Sequence, residues 1–200
     1  YGETVNEEVL SEISPKSAGV NDFLEFMKQH PEYLSQMGFR NYDRLEDYIH
    51  TANYEEFSEL LDEVDEILSK KDKYIDGEMD EIERAVQDLS RDGDLETTVE
   101  NVKLAFHNAK EIDLTKDIWS KLENTESNQI KKGEMKKVEA LAKQYNKSLP
   151  SELKKALLKG NYGRPMILKF GDRYHLVAGN TRLCTAAALG MTPKVLIAEV

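Results

Sequence analysis

The sequence predicts an α+β protein, an acidic helical N-terminal region followed by a small mixed sheet with helices. Three observations carry this. Apolar residues recur at helical spacing from Asn21 to Phe106. After the turn signal GNYGRP, residues 160 to 165, the period drops to two. The charge also reverses: residues 1 to 100 carry 9 Lys and Arg against 28 Asp and Glu, and residues 101 to 200 carry 18 against 10.

Residues 1 to 19 have poor periodicity, with Pro15 and Gly19, and read as a loose arm. Phe23, Leu24, Phe26 and Met27 share a helical face bounded by Pro31, and a short helix is expected over 32 to 37. Leu45, Tyr48 and Ile49 mark a second amphipathic helix. Phe57, Leu60, Leu61, Val64, Ile67 and Leu68 mark a third. Ile82, Ala85, Val86 and Leu89 form the next, closed by Asp92-Gly93, and Leu95, Val99, Val102 and Phe106 follow. The pattern is that of a helical bundle or an array of helical hairpins. Acidic pairs such as Asp62-Glu63 and Asp80-Glu81 lack the glycine and alternating oxygen ligands of a calcium loop, and read as solvated helix faces.

Beyond Lys110, Ile112 and Leu114 suggest a short strand leading to a helix near Thr115, followed by the polar loop LENTESNQIKKG. Helices fit 134 to 145 and, behind Pro150, 151 to 159. Met166 to Phe170 and Tyr174 to Val177 read as a hairpin closed by Gly171-Asp172. A helix over 180 to 189 stops at Gly190, and a last strand runs from Val195 to Val200. The expected division is an arm over 1 to 19, an acidic helical domain over 20 to 110 and an α+β domain over 111 to 200.

No apolar run reaches membrane-spanning length, so no membrane partner is expected. One cysteine permits no internal disulfide, and a reducing, cytoplasmic setting is expected. The first residues show neither a starting Met nor a signal-peptide pattern, which suggests a piece of a longer chain.

The chemistry concentrates in one strand-to-helix turn, Gly179-Asn180-Thr181-Arg182. A helix starting there offers unpaired backbone N–H groups, the positive end of a dipole, a hydroxyl, an amide and a guanidinium. These suit a phosphate, with Gly179 allowing close approach and Arg182 gripping two oxygens. The same residues also suit a simple helix cap with a surface ion pair. Neither a Walker loop nor Gly-x-Gly-x-x-Gly is present.

The wider pattern, a helix, GNYGRPMILKF, the Gly-Asp hairpin, YHLVAGNTRLCTAAALG and PKVLIAEV, resembles the ParB/sulfiredoxin superfamily over roughly residues 133 to 200, or from 112. Within it, ParB proteins carry a Gly-Glu-Arg-Arg turn, sulfiredoxins Gly-Cys-His-Arg and free-serine kinases Asp-Gly-His-Thr-Arg. Ala178-Gly179-Asn180-Thr181-Arg182 is most similar to the last. The resemblance implies that Gly179, Asn180, Thr181 and Arg182 bind nucleotide phosphates, with ATP or another nucleoside triphosphate and Mg as cofactor. Asn180 stands where sulfiredoxins have their cysteine, which argues against that redox chemistry. Ala178 stands where the serine kinases have an acid, so a kinase would need a base from elsewhere.

Glu123 and Glu126, in the polar loop, are the catalytic candidates for that base, with exposed loop carboxylates as the plain alternative. Lys131, Lys132, Lys136 and Lys137 form the densest basic cluster, suited to nucleic-acid backbone or outer phosphates, or a solvated helix face. His175 reads as a satisfied strand histidine, Cys184 as a small core residue, and no metal ligands are assigned. Three functions follow: a nucleotide-binding phosphotransferase or NTPase, a non-catalytic module binding nucleic acid or a partner, and, ranked last, a nuclease. The acidic helices would serve a protein partner.

Overall fold

A computed structural model describes residues 19 to 123, 134 to 144 and 148 to 200. The chain divides into two compact units, residues 1 to 70 and 71 to 200. The sheet and the helices confirm the α+β class. No described helix is long and apolar enough to cross a membrane.

The first unit holds α1 (Val20–Gln29), a 3-10 turn (Pro31–Tyr33), α2 (Tyr42–Thr51) and the first part of α3 (Tyr54–Gly77). The expected short helix over 32 to 37 is therefore mostly turn: the 3-10 segment that Pro31 starts stops at Tyr33, and the turns that follow run to Gly38 at φ +79. Asn41 caps α2 by accepting a hydrogen bond from the Arg44 amide at 3.1 Å. Phe23, Met27, Leu45 and Val64 form the centre of its core, and Phe57 meets Phe23 edge to face at 5.6 Å.

The second unit begins within α3 and continues with α4 (Met79–Arg91), α5 (Val99–His107), β1 (Lys110–Asp113), α6 (Lys116–Lys121) and β2 (Leu122–Glu123). Then follow α7 (Met135–Gln144), α8 (Pro150–Leu158), β3 (Met166–Phe170), β4 (Arg173–Ala178), α9 (Asn180–Ala188) and β5 (Lys194–Glu199). The sheet order is β1-β5-β3-β4-β2. β3 pairs antiparallel with β4 and parallel with β5, while β1 is antiparallel to β5 and β2 parallel to β4.

Period-two alternation sends each strand's side chains to two cores. Met166, Leu168, Phe170, Val177 and Leu196 face a layer containing Ile75, Ile82, Val86 and Phe106. Ile167, Leu176 and Val195 face Val138 of α7 and Leu183 and Cys184 of α9. Burying a side chain of the size of Phe106 contributes about 1.5–3 kcal/mol. The sheet therefore needs helices from both sides of residue 110.

Two expectations change here. The unit boundary falls after Lys70 rather than near 110, because α4 and α5 cover one face of the sheet. The start of the polar loop is a strand: Leu122 is buried and its register against Tyr174 adds β2 to the sheet edge.

Candidate functional site

β4 ends at Ala178, and Gly179 turns the chain into α9 with φ +107, ψ 19, a left-handed conformation that glycine adopts without strain. A Cβ at Gly179 would lie 2.7 Å from Cβ and 2.8 Å from Cα of Pro165. The glycine is thus required by the strand entry at Pro165, which crosses beside it. The first bond of the helix runs from the Leu183 amide to the Gly179 carbonyl at 3.0 Å, and no side chain caps it. The buried hydroxyl of Thr185 donates to the Thr181 carbonyl at 2.8 Å.

Arg182 points into the protein. Its guanidinium donates to a carboxylate oxygen of Glu78 at 2.6 Å, to the Gly163 carbonyl at 3.0 Å and to the Tyr74 hydroxyl. Only 17% of the arginine side chain and 12% of the Glu78 side chain remain exposed. The guanidinium also lies over the Tyr74 ring, 5.3 Å from its centroid. Tyr74 in turn donates to the Arg164 carbonyl at 2.7 Å. Burial opposes charge on Arg182, yet Tyr74 and Glu78 outweigh it and hold the guanidinium above its ordinary range. Burial pushes the Tyr74 phenol up as well.

Neighbouring charges are matched in the same way. Arg164 binds Glu111 at 2.7 Å, Lys194 reaches the same carboxylate at 3.3 Å, and the Arg164 guanidinium lies 4.5 Å from the Tyr162 ring centroid. Gly163 has no room for a side chain, since a Cβ there would run into the Tyr74 ring. Tyr74, Glu78, Gly163 and Arg164 thus complete the surroundings of Arg182. Gly163-Arg164-Pro165 stood out in the sequence as a turn, whereas Glu78 lay hidden in an acidic run that reads as solvent-facing.

The structure brings Gly179, Asn180, Thr181 and Arg182 together at the start of α9 but does not bring Glu123 to them. Glu123 is in register with His175, four residues before Gly179 on β4, which is roughly 13 Å of strand. Its carboxylate binds Arg173 through contacts at 2.7 and 3.1 Å, and Asp94 binds the same guanidinium at 2.7 Å. The hydrogen bonds that Arg173 donates to Asp94 and Glu123 hold its guanidinium above its usual range. His175, beside them, is held below the ordinary imidazole range, first by burial. Glu126, Lys131 and Lys132 lie outside the described residues. Lys136 and Lys137 are exposed on α7, and Lys137 pairs with Glu134.

A nucleotide with Mg does not fit this arrangement as it stands. A phosphate at Arg182 would meet the Glu78 carboxylate in the position it needs, and like charges at that distance repel.

Comparison of the chain with protein-family models, with curated proteins and with solved structures yields no match.

Proposed function

We propose that the protein is a non-catalytic binding module whose second unit is a ParB/sulfiredoxin-like scaffold for a nucleic acid or a partner. The observation that supports this reading is the pairing of Arg182 with Glu78. The one guanidinium in the Gly-Asn-Thr-Arg turn is largely buried and bound to an internal carboxylate, a phenol and a carbonyl. In that role the turn joins β4, α9 and the α3–α4 junction, and Arg182 serves as a structural tie.

The competing phosphotransferase or NTPase reading draws on the same pair, since Glu78 supplies beside Arg182 the carboxylate that Ala178 does not. It requires the pair to open for a phosphate. A thermal-shift screen of ATP, CTP and GTP, each with and without Mg, with phosphate release followed in parallel, separates the two. The module reading expects no saturable stabilisation and no turnover. Saturable stabilisation together with phosphate release by the native protein would establish the enzyme instead.

A further inference from the structure

Resting on the reading of the second unit as a binding module, we infer that the outward face of α7 and α8 docks the phosphate backbone of double-stranded nucleic acid. α7 and α8 pack against each other and against α9, so they form one layer on one side of the sheet. Their exposed lysines are Lys136, Lys137 and Lys143 on α7, Lys154 and Lys155 on α8, and Lys159 just after it. The exposed carboxylates of the same helices are Glu139 and Glu152. Among the described residues, Lys137 alone of the six sits in an ion pair, with Glu134. The other five cations face solvent without a described carboxylate partner.

The opposite side of the same sheet has the reverse sign. α4, its cap residue Asp92, α5 and the end of α3 expose Asp76, Asp80, Glu83, Asp92 and Glu100 against Lys73, Arg84 and Arg91, an excess of negative charge where α7 and α8 carry an excess of positive. The unit is therefore electrically polarised across its sheet, and a polyanion is steered to the α7–α8 side.

The form of the charge selects the partner. The lysines are spread along two helices, with Lys136 and Lys143 about 10 Å apart along the α7 axis, rather than gathered around a concavity. That suits a linear array of phosphates better than one nucleotide. No residue of α7 or α8 is aromatic, so the face has no platform on which unpaired bases would stack. The expected ligand is a duplex, bound through its backbone without sequence preference.

The test uses the full chain and a labelled duplex of about 30 base pairs, long enough to span both helices and of arbitrary sequence, followed by fluorescence anisotropy over a salt series. A single strand of equal length, vesicles of anionic phospholipid and ATP with Mg are measured alongside. Duplex binding is expected to weaken linearly in log affinity against log salt. Lys154→Glu combined with Lys155→Glu and Lys159→Glu should lower duplex affinity roughly tenfold or more at low salt and flatten the slope by about 0.9 for each phosphate no longer neutralised. Lys73→Glu, exposed on α3, should change affinity less than about twofold, and unaltered Trp119 fluorescence shows that each variant is folded. No duplex binding, equal losses from Lys73→Glu and the triple variant, or binding confined to vesicles or to the single strand would overturn the inference. Binding of ATP with Mg that disappears in Arg182→Lys would instead overturn the module reading, and leave the lysine variants to judge the surface separately.

Discussion

Arg182, the fourth residue of the turn, and Glu78, the residue between α3 and α4, meet at 2.6 Å across 104 residues of sequence. That ion pair ties the start of α9 to the helices on the other side of the sheet. It turns a motif suited to holding an external anion into one that holds an internal one.

The turn itself should tolerate no side chain. In Gly179→Ala the left-handed φ would cost about 1–3 kcal/mol, and the close approach of Pro165 adds to it. Chemical unfolding followed through Trp119, the chain's one tryptophan, reads this within the second unit. A loss below about 0.5 kcal/mol, the range of an ordinary surface substitution, would show that the β4–α9 turn rearranges freely.

A portion of the chain starting at Lys110 should fail to fold, and one starting at Lys71 should fold. The shorter piece loses Ile82, Val86, Val102 and Phe106, which cover Met166, Leu168 and Phe170. Removing even one buried aromatic side chain of this kind costs about 3–5 kcal/mol. Cooperative thermal unfolding of the shorter piece, monitored by circular dichroism, would contradict the shared core.

The sequence showed most of this architecture, and the reasons for the exceptions are physical. The strands Met166 to Phe170 and Tyr174 to Val177 were visible as short, mostly apolar runs bounded by turn residues because each is covered on both faces by different helices. β2 was hidden because a two-residue strand has no period to detect. The boundary was misplaced because charge reports on solvent-facing residues, while the unit is defined by the apolar stripe of α4 beneath its acidic surface. Arg182 was legible as important. Its partner was not, since nothing local marks one glutamate among many as the one that is buried.

Acidification should destabilise the second unit through His175. Burial holds its folded pKa below the unfolded value of about 6.5, with Glu123, Asp88 and Asp94 acting against that shift and Arg173 with it. Well above pH 6.5 both states are neutral and the group contributes nothing. As pH falls below about 6.5 the unfolded chain takes up a proton first, so stability declines until the folded pKa is passed. Unfolding curves of the native protein and His175→Gln between about pH 7.5 and pH 5 should converge or cross as pH falls. Parallel curves across that range would remove His175 from the account.

The most direct test of the central claim is a double-mutant cycle on Glu78→Gln and Arg182→Met, with unfolding of the second unit followed through Trp119 fluorescence in urea. Breaking a buried ion pair from one side costs about 3–5 kcal/mol, and removing both partners relieves part of that cost. The account expects each single variant to be markedly destabilised and the pair to show a coupling energy of about 1–3 kcal/mol. Additive effects, with coupling within about 0.3 kcal/mol, would show that Arg182 is not held by Glu78 and is left available to an external anion.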